Sequence, residues 1–156
     1  MDASRGPSDV EAALGALGIP WRATRARGST AVEAAQSLGV ELGAIVKSLL
    51  FLADDEPVLV LVGGDRRADP QQLARLLAAR KVKIASPEWV MAETGFPPGA
   101  VPPVGHTRPL PVWIDAGLAA HPIVYTSGGA SDLLIALGVE ELLAATGGRI
   151  AEVSEG

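Results

Sequence analysis

Among the residues able to do chemistry in this chain, Lys47 stands apart. It lies inside Ala44-Ile45-Val46-Lys47-Ser48-Leu49-Leu50-Phe51-Leu52, and removing an ammonium from water is costly unless something compensates its charge. Strand alternation puts Ile45, Lys47, Leu49 and Phe51 on one face and Val46, Ser48, Leu50 and Leu52 on the other. Two readings stand. Lys47 either snorkels past a sheet edge, or it faces a cleft where an anion or a polar carbonyl binds.

The other reactive side chains narrow the chemistry. With no cysteine, the chain has no thiol nucleophile, and its two histidines, His106 and His121, have no ligand spacing around them; no metal or cofactor is expected. His106, outside any motif, reads as a solvated loop residue. Ser127 and Ser131 are not framed as G-x-S-x-G, because Tyr125 and Leu133 stand where glycines belong. Gly43-Ala44-Ile45-Val46-Lys47-Ser48 lacks the glycine before lysine that a phosphate loop needs. Six of the 13 cationic residues, Arg66, Arg67, Arg75, Arg80, Lys81 and Lys83, fall close together. They read as a solvated helix face diluted by Asp65 and Asp69, and as the best candidates for phosphate contacts.

The elements that must position these residues follow from capping and periodicity. Ser8-x-x-Glu11 and Thr30-x-x-Glu33 read as capping boxes, the first opening a helix through Val10, Ala13, Leu14 and Leu17 to Gly18, the second an Ala-rich helix to Leu38. A short strand is expected over 19–26. The Lys47 strand turns at Asp54-Asp55-Glu56-Pro57 into Val58-Leu59-Val60-Leu61-Val62, a core hairpin. Asp69-Pro70 and Ser86-Pro87 each start a helix, with a strand over 82–85 between them. Residues 94–108 hold four prolines and three glycines, which predicts a shaped loop of the lid or binding kind. Strands are then expected over 111–115, 123–126 and 133–136, with a turn over 127–132, a last helix over 139–145 and a strand over 149–153. Interspersed helices and hairpins predict an α+β fold, a single domain over residues 1–156 with a mixed β-sheet flanked by helices.

At 156 residues the chain suits one core-forming domain, 48% hydrophobic and 20% charged. Residues 1–7 read as a flexible N-terminus without the apolar run of a signal peptide, and no stretch matches a membrane helix. The cytoplasm is the expected compartment, and no membrane partner is expected. A net charge of −5 argues against a surface that is basic all over.

Ile45-Val46-Lys47-Ser48-Leu49-Leu50-Phe51, Thr94-Gly95-Phe96, Gly99-x-x-x-Pro103-x-Gly105, Leu110-Pro111-Val112-x-Ile114-Asp115 and Val124-Tyr125-x-Ser127-Gly128-Gly129 occur in order. Together they resemble the YbaK/EbsC family of prolyl-tRNA synthetase-associated editing domains. The resemblance implies a cleft that receives the 3′ end of a mischarged tRNA and hydrolysis of its aminoacyl ester. It makes Lys47 the family's essential lysine. It also implies substrate contacts at Gly99, Ala100, Val101 and Pro103 of the loop and at Ser127, Gly128 and Gly129; Ser48, next to the lysine, and Gly105, whose glycine allows close backbone approach, are expected as further substrate contacts. Arg66, Arg67, Arg80, Lys81 and Lys83 would then be the phosphate contacts, and prolyl-tRNA synthetase or another synthetase a partner. Ala130-Ser131-Asp132 replaces the basic run usual in cysteinyl-tRNA deacylases, and Arg25-Ala26-Arg27-Gly28 lacks a Tyr or His often found there. Ala, Ser and Thr thereby join Cys as expected substrates. The alternative is a non-catalytic module that binds tRNA or aminoacyl nucleotides.

Overall fold

In the computed structural model, residues 4–26 and 30–155 are described. The elements run α1 (Pro7–Leu17), β1 (Arg22–Arg25), α2 (Ala31–Leu38), β2 (Val46–Ala53), β3 (Glu56–Gly63), β4 (Arg67–Ala68), α3 (Pro70–Leu77), β5 (Val82–Ile84) and α4 (Pro87–Thr94). After the long loop come β6 (Val112–Asp115), β7 (Ile123–Ala130), β8 (Leu133–Gly138), α5 (Val139–Thr146), β9 (Arg149–Ala151) and β10 (Ser154–Glu155). The mixed sheet has the order β5-β2-β3-β6-β9, antiparallel through β5, β2 and β3 and parallel from β3 to β9. An antiparallel sheet β1-β8-β7 and a pair β10-β4 stand apart from it.

The β2–β3 hairpin closes through Asp54 and Asp55, both at positive φ (48° and 68°). That is the conformation of a two-residue turn whose twist matches the strands it joins. The alternation along β2 is as expected. Val46, Leu50 and Leu52 enter the larger core with Leu14, Phe96 and Val124, whereas Phe51 packs with Val58, Val60 and Leu73 on the opposite face. Thr30 caps α2 by accepting from Glu33 N–H (3.1 Å), and Asp69 and Ser86 cap α3 and α4.

Four local expectations change. The first helix is capped at Gly6 rather than Ser8: Gly6 N–H donates to the Asp9 carboxylate (2.9 Å), and Pro7 opens the helix where its missing N–H costs nothing. Leu17 leaves the apolar face and is exposed. The N-terminus is held from Arg5 onward, since Arg5 N–H donates to Gly95 O (2.8 Å) and its guanidinium to Gly105 O (3.1 Å). Residues 1–3, and Arg27 and Gly28 of the early segment, lie outside the described residues. The turn expected over 127–132 is shorter than that. β7 continues through a bulge at Gly128 and Gly129, and Ala130 pairs with Leu133.

Candidate active site

The cleft opens where two strands part. Ile45 bridges Tyr125 in parallel, after which β2 stays in the mixed sheet and β7 in the three-stranded one. The space between them, about 300 Å³, is lined by Lys47 and Ser48 on one arm and Ser127 on the other, with Gly99 and Val101 from the long loop. Ala26, Ala31 and Ala34 form a wall of small side chains beneath it. That wall was not anticipated, and only the Thr30 cap that fixes α2 gave a signal for it.

Loop 94–108 is ordered by its own side chains, as compact surface loops are. Phe96 is fully buried, as is the side chain of Thr94, whose hydroxyl donates to Val90 O (2.7 Å) and accepts from Phe96 N–H (3.0 Å). Thr107 N–H closes the loop onto Thr94 O (3.0 Å). Ser127 ties the loop to β7: its hydroxyl donates to Ala100 O (3.0 Å) and accepts from Gly129 N–H (3.1 Å). Ser127→Ala therefore orphans two partly buried main-chain groups. It is expected to cost about 1–3 kcal/mol, read as a lower urea midpoint with an unchanged slope.

Lys47 carries the main electrostatic signal. Its ammonium donates to Arg66 O (2.5 Å). Burial lowers its pKa from the ordinary lysine value, the Arg67 cation lowers it further, and Asp65 pulls the other way. The strand therefore holds a partly desolvated cation at the cleft.

The remaining candidates separate. Ala100 is buried, reaching the site only through its carbonyl. Pro103 and Gly105 face a second hollow with Arg5, Asp9 and His106. A side chain at Gly105 would meet the α1 backbone at Asp9 (3.1 Å), so this close approach serves helix packing instead of a ligand. Gly128 abuts Leu133 and Ile135, and Gly129 abuts Gly6, Pro7 and Phe96. The bulge turns both glycines away from the cleft.

The basic cluster also divides. Arg66 lines a hollow with Asp115 and Glu152, whereas Lys81 and Lys83 flank Asp54 and Asp55 at the hairpin turn. The Asp54 carboxylate accepts from the N–H groups of Arg80 (3.0 Å) and Lys81 (2.9 Å). Strand rise places that turn roughly 20 Å from Lys47. Arg67 is the member of the set close enough to act on Lys47.

His106 is partly buried, not solvated. Its Nε2 lies 2.7 Å from Pro102 O, a contact in which Nε2–H donates. Burial, opposed by this hydrogen bond and aided by Arg5, holds its pKa below the ordinary 6.5. Below that value the unfolded chain takes up the proton more readily than the folded one. Stability is therefore full above pH 6.5 and falls as pH drops toward the folded pKa. Thermal melts should show this acid loss in the parent and a smaller one in His106→Ala.

The comparisons with known proteins fit this geometry. The model of the aminoacyl-tRNA editing domain matches residues 26–145. The chain belongs to that family. It is similar to a solved structure described as a candidate trans-editing enzyme for prolyl-tRNA synthetase, at 40% identity and a TM-score of 0.90 over 98% of this chain and 99% of the other. It is 28% identical over 80% of its length to an Enterococcus faecalis protein named as a candidate Cys-tRNA(Pro)/Cys-tRNA(Cys) deacylase, EbsC, of which it covers 77%. A proline–tRNA ligase of Nitratidesulfovibrio vulgaris is 47% identical over 76 residues, 49% of this chain. The chain matches only 13% of that ligase's length. Among the described residues, no helix is long and apolar enough to cross a membrane.

Proposed function

We propose that the protein is a trans-acting deacylase that hydrolyses the ester between a small amino acid and the 3′-terminal ribose of a mischarged tRNA. The observation that carries this reading is the cleft between the parting strands, where a partly desolvated Lys47 meets a rigid loop and a wall of alanines. Ala26, Ala31 and Ala34 suit an amino acid the size of Ala, Ser, Thr or Cys. The relatives named for prolyl-tRNA synthetase favour tRNA(Pro) as the carrier and that synthetase as the partner.

In the reaction, a water oxygen bonds to the ester carbon, the bond to the ribose oxygen breaks, and that oxygen takes up the proton the water gives up. Ser127 Oγ–H is committed to Ala100 O, and His106 lines the hollow on the far side of the loop. A Ser–His nucleophile pair is thus not assembled here, and direct attack by a positioned water is the route. Lys47 acts as a charged, positioning group toward the terminal phosphate or the ester oxygens. Arg67, close enough to act on Lys47, is the first further residue we assign to phosphate, and Arg80, Lys81 and Lys83 would meet the acceptor stem only beyond the cleft.

A panel of mischarged tRNAs tests the reading. Amino acid should be released fastest from small aminoacyl groups. Release no faster than in buffer for every member overturns hydrolysis, and tRNA binding without turnover would leave the chain a binding module. Equal rates for a small residue and for Phe would overturn the assignment of the alanine wall.

A further inference from the structure

The hydrogen-bond parity of β2 leaves one main-chain step unused. Ala53 and Glu56 close the two-residue turn, and Ile45 O accepts from Gly64 N–H (2.8 Å) at the other end of the hairpin. Bonded and non-bonded pairs alternate along an antiparallel ladder. Lys47, Leu49 and Phe51 therefore direct their amides to β3, and Val46, Ser48 and Leu50 direct theirs to the opposite edge. On that edge Leu50 O accepts from Ala85 N–H (2.9 Å), where β5 begins to cover β2. At the other end the Ile45–Tyr125 bridge ties β2 to β7. Ser48 falls between the two, opposite no strand, at the cleft wall. On that edge it has no ladder partner, because the pairing with β5 starts at Phe51 and the bridge to β7 is at Ile45. Its hydroxyl is also buried without a partner.

Buried amides are almost always paired, so a rigid strand donor left open beside a cleft is a prepared site for an acceptor. We propose that the Ser48 main-chain N–H donates to the ester carbonyl oxygen of the aminoacyl group, and to the oxyanion formed when water adds to the carbonyl carbon. This rests on the deacylase reading above. The electron pair of the C=O bond moves onto that oxygen as the water oxygen bonds to carbon. It returns as the bond to the ribose oxygen breaks and the ribose oxygen takes the proton lost by the water. Because Lys47 and Leu49 hold their own amides on β3, the Ser48 N–H is fixed in direction before substrate arrives, the condition under which a donor favours the transition state.

The parity also supplies the test. Ser48→Pro removes this N–H without removing a ladder bond, as is tolerated only at open strand positions, while Ser48→Ala removes the hydroxyl and keeps the N–H. On the best mischarged tRNA of the panel, Ser48→Pro should be slower than Ser48→Ala by about 10²–10³-fold. Should the proline perturb folding, an α-hydroxy acid introduced at position 48, replacing N–H by O, should show the same loss in a chain that stays folded, its melting temperature lowered only slightly because the Lys47 ester carbonyl accepts more weakly from β3. Independently of turnover, the Ser48 amide should exchange with solvent faster than those of Lys47 and Leu49. It should become protected on adding 3′-alanylamino-3′-deoxyadenosine, a stable amide analogue of the aminoacyl end. An α-hydroxy variant as fast as the parent, or a Ser48 amide unaffected by the analogue, overturns the donor role. A parent chain inert on the whole panel overturns instead the reading beneath it.

Discussion

Lys47→Ala is expected to lower deacylation of the preferred mischarged tRNA by about a hundredfold or more, the usual consequence of removing one fixed electrostatic group from a site that excludes water. The loss should come without unfolding. The lysine gives β3 only its main-chain groups, and its ammonium makes one hydrogen bond, to Arg66 O; truncation also relieves a partly desolvated charge. Lys47→Arg keeps the charge but needs more room beside Arg67, and should recover only part of the rate. The direction of the lysine's pKa adds a second readout. With burial and Arg67 lowering it, the charged form is lost below the ordinary 10.5. The rate above buffer should then fall on the alkaline side through a pKa lower than that value. Folding stability responds in the opposite sense over the same range: the unfolded chain keeps the proton that the folded chain has released, so stability rises with pH up to about 10.5. A parent-like rate in Lys47→Ala, at matched melting temperature, would remove the lysine from the mechanism.

Gly129→Val is expected to be the most damaging single change to the fold, by about 3–5 kcal/mol, a large share of the roughly 5–15 kcal/mol that holds a domain together. Two costs add. The residue sits at φ +101°, where a β-branched side chain is strained. A Cβ there would also lie 3.0 Å from Pro7 N and 3.1 Å from Gly6 C. The neighbour is helix backbone, which cannot swing aside as a flexible side chain would. Chemical denaturation should show the loss, and Gly99→Ala provides the contrast. Gly99 also has positive φ (88°), but nothing lies within 4 Å of its would-be Cβ, so Ala there should cost only about 1 kcal/mol of strain. Equal losses at the two positions would mean that the packing of α1 on β7 contributes little.

These two glycines also mark how far the chain could be read without coordinates. Both belong to the stretches through which the sequence resembles the editing family, yet one lines the cleft and the other packs against the first helix. A motif records that a glycine is required but not which neighbour requires it. The same ambiguity affected Pro103 and Gly105, which follow Val101 in one proline-rich run but face the hollow behind the loop. The basic cluster divides for a related reason. Arg66 and Lys83 are near in sequence, but α3 and the full length of the hairpin separate their surroundings.

By itself the sequence determined what local rules decide: the caps at Thr30, Asp69 and Ser86, the β2–β3 hairpin and its alternation, the irregular loop over 94–108, and the oddity of a lysine inside an apolar strand. Each depends on residues a few positions apart, where capping, pleat and proline geometry act. The tertiary structure alone decided that β2 and β7 meet at Ile45 and Tyr125 and then part, that α2 supplies the alanine wall, and that the Ser48 amide is left without a strand. Those features depend on contacts between segments some 80 residues apart in the chain, and no local pattern encodes where two sheets diverge.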